Sequence, residues 1–288
     1  MHDGSVLFID PGMTARRRWC MLPAMERSTL ILRIRWPVRL WHWINALAVF
    51  IMLMSGMMIF NAHPRLYWGK FGANFDHAWL EIGNHGARGY LALGGHEWPT
   101  TGVLGFAQGT ALAFPPLVTL PSQYNLALAR GWHFLGAWVL VASLVCFLLY
   151  ALVSGHLRRD LGLSREERRP RALLHDIGQH LRLRLPRGEA ARHYNPLQKL
   201  AYLSVLLAVL PLLIATGLAM SPTMNAALPW LLDVFGGRQS ARSIHFLCAL
   251  AMALFLAVHL AMVVLAGPVN ELRAMITGWY RLPPERKR

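Results

Sequence analysis

Four stretches of this chain carry no charged residue and are each long enough to cross a bilayer: residues 40–60, 131–153, 200–220 and 243–266. A hydrocarbon core about 30 Å thick takes about 20 residues of helix, and a backbone inside it must satisfy its own hydrogen bonds. These stretches therefore have to be helices, and they must pack together. The fold class expected is an all-α membrane protein, a four-transmembrane-helix bundle. A fifth, weaker apolar stretch at 103–120 carries Gly, Gln and Pro115-Pro116, and reads as an interfacial or loop segment.

The formal net charge of +15 would suit a nucleic-acid partner if it were spread over one face. It is not. Seven arginines fall in residues 1–39, ten in 154–198, and five Lys or Arg follow Ala266. The two other connections, 61–130 and 221–242, hold four and two. That alternation is the positive-inside pattern of a four-span chain with both ends in the cytoplasm. The basic segments are expected to meet anionic lipid, not nucleic acid. The organisation expected is a basic N-terminal segment at 1–32, a membrane domain at 33–280 and a basic tail at 281–288. Residues 1–24 read equally as an unstructured extension or as sequence ahead of a start at Met25. No apolar run of suitable length follows Arg16-Arg17-Arg18, so a cleavable signal is not expected. The external connection 61–130 lacks a periodic apolar core and is expected to hold short interfacial helices. An amphipathic surface helix is expected at 173–185, and a kink at Pro211 in span three.

Histidines mark the spans. His245 and His259 lie fourteen residues apart in the fourth stretch. At about 1.5 Å and 100° per residue they are roughly 21 Å apart and about 40° short of sharing one azimuth after four turns. Both project from nearly the same face, one near each membrane surface. His42 opens span one from the inside and His133 opens span two from the outside. Four histidines thus make two pairs at two depths: His42 with His259 inside, and His133 with His245 outside. Buried imidazole is expensive in lipid and common as an axial haem ligand. Two imidazoles per iron leave no open coordination position, which suits electron transfer. The expectation is two non-covalent haems b, stacked across the membrane. Cys20, Cys146 and Cys248 are scattered and no C-x-x-C-H motif occurs, so covalent attachment is not expected.

Arg39, Arg130 and Arg242 each precede a histidine by three residues. Positions i and i+3 share a helix face, so each guanidinium lies about a turn nearer water, where haem propionates would be met by a bidentate fork. Gly56, Gly136 and Gly217 would admit a flat macrocycle, or simply close helix packing.

Arg39 to Trp43, Gly131 to His133 and the His-x13-His of span four resemble the b-type cytochrome subunits of the bacterial cytochrome b561/nickel-hydrogenase group, over about residues 33–280. Residues 195–199, 216–222, 236–246 and 267–280 resemble the thiosulfate-reductase-type and formate dehydrogenase gamma-like subunits. The resemblance implies an electron-transfer subunit, itself without catalytic residues. It would link the quinone pool to a periplasmic oxidoreductase partner, a molybdopterin-containing subunit among the candidates. It also implies a quinone site near the inner haem, for which Asn195, Gln198 and Lys199 are the candidates. The long 61–130 connection departs from the compact members. A stand-alone quinone reductase taking electrons from superoxide is the alternative. A histidine-lined metal transporter ranks low, since no span holds Asp or Glu, and a plain anchor leaves the matched depths unexplained.

Overall fold

The computed structural model describes residues 30–159, 162–164, 166–167, 169–181 and 196–282. Four helices are long and apolar enough to cross a membrane: Trp36–Phe60, Leu126–Val153, Pro196–Met220 and Arg238–Ala266, hereafter spans one to four. Their far ends coincide with the uncharged stretches. Their near ends begin four or five residues earlier, because capping and backbone geometry, not charge, start a helix. Pro37 lies in the first turn of span one. Asn125 caps span two by accepting the Leu128 N–H at 3.0 Å. Arg39, Arg130 and Arg242 fall inside the opening turns, where a count of uncharged residues stops short.

Spans one and two pack along their length, as do spans three and four. Trp41 stacks on Phe147 with ring centres 4.1 Å apart, and the Asn45 side-chain amide donates to Ser143 Oγ at 3.1 Å, both joining spans one and two. All four spans feed one buried apolar layer at mid-depth, built from Ala48, Leu140, Leu144, Leu206, Leu210 and Met252 among others. In span three the disturbance expected at Pro211 takes the form of a π-helical turn, Val205–Val209, directly before it. Proline has no N–H for the carbonyl four residues back and crowds it, and the wider turn relieves that conflict.

The expectation of an all-α fold needs correcting. The molecule is mostly helical, but residues 61–130 do not form short interfacial helices. They fold into a four-stranded antiparallel meander, β2 (Arg65–Leu66), β3 (Leu80–His85), β4 (Arg88–Leu93) and β5 (His96–Pro99), with β1 (Leu30–Leu32) elsewhere in the fold. Gly94 and Gly95 make the two-residue turn between β4 and β5, both at positive φ (56° and 87°), a conformation that favours glycine. Leu80 and Ile82 alternate inward with Glu81 outward, and they join Phe60, Leu66, Ala113 and the ring of Phe246 in span four. Arg65 and Glu81 sit directly opposite on β2 and β3 and pair at 2.6 Å. The segment at 103–120 is a loop, as expected, with a 3-10 turn at Pro116–Val118. It returns along span one, where the Leu120 N–H donates to the Met54 carbonyl at 3.1 Å.

The sheet is fastened to the start of span four. The Gly69 carbonyl accepts from the N–H groups of Gln239 (3.1 Å) and Ser240 (3.2 Å), two of the donors that every helix start leaves unpaired. Ser243 Oγ donates to the Tyr67 carbonyl at 2.6 Å and accepts from Trp79 Nε1 at 2.9 Å.

At the other membrane face β1 pairs with β6 (Trp279–Arg281), which puts the two ends of the described chain on one side. The helix Pro268–Thr277 is tied to span one by Arg39, whose guanidinium donates to the Ile276 carbonyl at 2.7 Å, and by Trp43 Nε1, which donates to the Met275 carbonyl at 3.2 Å. The surface helix expected at 173–185 appears as Pro170–Leu181, its last four residues lying outside those described.

Candidate paired-histidine sites

The structure brings the four span histidines together in the two pairs read from the sequence. His42 and His259 have ring centres 6.2 Å apart and ring planes inclined at 55°. His133 and His245 have ring centres 6.2 Å apart and planes inclined at 59°. Two imidazoles bonded at about 2 Å to opposite sides of one metal ion have ring centres about 6 Å apart. Both separations fit that arrangement. A bare transition-metal ion would draw three or four protein ligands. Among the described residues no group of three or more His, Cys, Asp or Glu side chains comes together. Two facing imidazoles per site would instead suit a macrocycle that supplies the remaining ligands itself.

Span four contributes to both pairs, and Met252, seven residues from each of its histidines, sits in the apolar layer between them. That layer keeps water from the space separating the sites.

The outer pair is held by two hydroxyls that sequence reasoning missed. Ser55 in span one lies 3.0 Å from His133 Nδ1 in span two, and Thr216 in span three lies 2.9 Å from His245 Nδ1 in span four. Both side chains are fully buried. Glycine follows each: a Cβ on Gly56 would come within 3.4 Å of the His133 ring, and one on Gly217 within 3.6 Å of the His245 ring. Both glycines are visible in the sequence as small residues in apolar spans. A hydroxyl directly ahead of each glycine, in Ser55-Gly56 and Thr216-Gly217, is the signal that points to these two residues.

The inner pair is built otherwise. His259 stacks on Phe255 at 5.9 Å, and His42 meets Trp43 edge-on at 5.1 Å. His42 Nδ1 is buried and has no hydrogen-bond partner among the described residues.

The three candidate propionate arginines fare differently. Arg39 spends one N–H on the Ile276 carbonyl, and its Nε is buried without a hydrogen-bond partner among the described residues. Arg130 is exposed. Arg242 donates to the Arg65 carbonyl at 3.1 Å and to the His63 carbonyl, and so pins the outer sheet. Of the quinone candidates, Asn195 lies outside the described residues. Gln198 and Lys199 open span three, and Lys199 Nζ pairs with Glu167 at 2.9 Å. Glu167 is itself held by the Ser164 N–H at 2.7 Å in a reciprocal capping box. Burial alone would raise that carboxyl's pKa; the Ser164 and Lys199 contacts outweigh it and hold the group below its usual range.

The family model described as prokaryotic cytochrome b561 matches residues 33–278. The chain belongs to this family. Membership implies haem b, and with four membrane-crossing helices it makes this cytochrome b561 a multi-pass inner-membrane protein. The chain is 27% identical over 242 residues, 84% of its length and 93% of the relative's, to the putative protein-methionine-sulfoxide reductase subunit YedZ1 of Azospira oryzae. It is 22% identical over 278 residues, 91% of its length and 93% of the relative's, to the probable Ni/Fe-hydrogenase B-type cytochrome subunit of Azotobacter vinelandii. A like-named subunit of Cupriavidus necator is 36% identical over 69 residues, 23% of this chain and 28% of that one. No solved structure matches.

Proposed function

We propose that this cytochrome b561 is a dihaem electron-transfer subunit, passing electrons between the quinone pool and an oxidoreductase partner at the periplasmic surface. The observation that carries this reading is the pair of 6.2 Å imidazole separations, one near each end of span four. His42 and His259 would hold the inner haem, and His133 and His245 the outer one. Two haems b supply one-electron carriers with no open position for oxygen.

The protein's part is to place and insulate. His245 and His259 lie roughly 21 Å apart along span four, and haems held there would supply a one-electron carrier near each membrane face. The apolar layer around Met252 excludes water between them. Arg39, Arg130 and Arg242 lie a turn nearer water, where their cationic heads favour carboxylates. Gln198 and Lys199 sit at the inner entrance to span three as candidate hydrogen-bond donors to a quinone carbonyl, and Asn195, outside the described residues, is the third candidate. The pairing of β1 with β6, which puts the ends of the described chain on one side, and the basic inner segments support an orientation with both ends in the cytoplasm. The outer sheet then faces the periplasm, where a catalytic subunit would dock. The names of the relatives, a methionine-sulfoxide reductase subunit and hydrogenase cytochromes, support such a partner. A molybdopterin subunit is the form the sequence resemblance favours. The Arg-rich inner surface is proposed to rest on anionic lipid.

The test is a reduced-minus-oxidised spectrum of the purified protein with haem quantified per chain. Two b-type haems are expected. His259→Ala should retain one, with the properties of the outer site, and His133→Ala should retain the other. A colourless wild-type preparation from haem-replete cells, or two haems kept in both variants, overturns the assignment.

A further inference from the structure

The outer histidines are the only span histidines described with hydroxyl partners, and the network fixes which atom donates. A hydroxyl has one proton. Ser55 Oγ lies 2.7 Å from its own helix's Ile51 carbonyl, and Thr216 Oγ1 lies 2.6 Å from the Leu212 carbonyl. A carbonyl can only accept, so each hydroxyl proton is committed to the backbone. The oxygen then has only lone pairs to offer the neighbouring imidazole. Nδ1 of His133 and of His245 must therefore carry the proton and donate it to oxygen. In a neutral ring that leaves the lone pair on Nε2, the nitrogen free to bind a metal. The two halves of the bundle repeat this device: span one braces a histidine of span two, and span three braces a histidine of span four. A buried imidazole N–H left unpaired at such depth would cost about 1–3 kcal/mol, so these contacts are not incidental.

We propose that Ser55 and Thr216 are positioning residues for the outer haem: each fixes the tautomer of one axial histidine, aims its Nε2 at iron and makes the ring a stronger donor. This rests on His133 and His245 being axial ligands. A ring whose Nδ1–H is given to an oxygen is more basic, and a more basic ligand favours the oxidised metal. The hydroxyls thus hold the outer centre at a lower potential than bare imidazoles would. His42 Nδ1 in the inner pair has no such partner among the described residues, so the inner centre is outside their reach.

The experiment is a potentiometric titration of the purified full-length protein, followed by visible and EPR spectra. Thr216→Val keeps the shape and removes the hydroxyl; Thr216→Ser keeps the hydroxyl and restores it as a control. In T216V one of two midpoint potentials is expected to move positive, with changed low-spin g values at that centre and none at the other. T216S should keep wild-type values, and S55A should move the same centre in the same direction. Unchanged potentials in both T216V and S55A, with two haems bound, overturn the proposal. So does loss of the outer haem from both, which would make the hydroxyls structural only. A wild-type protein without b-type bands fails the ligand assignment itself, a different result from either.

Discussion

Gly237, at the start of span four, lies against Gly69 and Lys70 in the strap that links β2 to β3. Its φ of 118° is one that L-side chains rarely adopt, and a Cβ there would lie 2.7 Å from both the Gly69 carbonyl oxygen and Lys70 Cα. Neither obstacle is a flexible side-chain tip, so the strap would have to move. Gly237→Ala should destabilise the protein by about 1–3 kcal/mol and release the strap's hydrogen bonds to Gln239 and Ser240. Limited proteolysis checks this: cleavage between residues 63 and 79 should quicken in the variant while haem content holds. The same scale explains why the four histidines were legible in the sequence and the two hydroxyls were not. An imidazole in lipid needs a reason wherever it sits. A serine or threonine can bond its own preceding turn, as Ser55 and Thr216 do, and so raises no alarm until its second contact is seen in three dimensions.

At the scale of elements, the spans were readable because a bilayer forces length and polarity on a helix. The meander was not, because its apolar core is small and is completed by span residues, Phe60 at the end of span one and Phe246 of span four, the latter distant in sequence. Its local signals were present. Gly94-Gly95 between two short runs is a hairpin turn, and Leu80-Glu81-Ile82 alternates with a period of two. The length and Gly content of 61–130 masked both. The sheet also carries a pH dependence. Burial lowers the pKa of His63, and the nearby Arg242 and Arg65 push the same way against a weaker pull from Glu81. The unfolded chain therefore takes up this proton at higher pH than the folded one. Stability of the sheet should be level above about 6.5, fall as pH drops below that value, and level off again beneath the lowered folded pKa. Protease resistance of the outer loop measured from pH 8 to 4 should show the fall, and His63→Gln should flatten it. An identical profile in the variant would place the effect on another group.

For the molecule as a whole, one helix belongs to both sites, and the fourteen-residue interval between its histidines acts as a ruler whose graduations are also angles. A residue added between 246 and 258 lengthens that ruler by about 1.5 Å but swings everything beyond it through about 100°. An inserted alanine at mid-helix should consequently leave a one-haem protein, its surviving centre spectrally intact, whereas the same insertion in the 94–95 turn should leave both. Comparable haem loss from the two insertions would show that the helix's length is not what sets the pairing. Away from the two histidines and the residues that pin the sheet, substitutions along this helix can accumulate, but indels cannot: those positions can be rewritten letter by letter, never respaced.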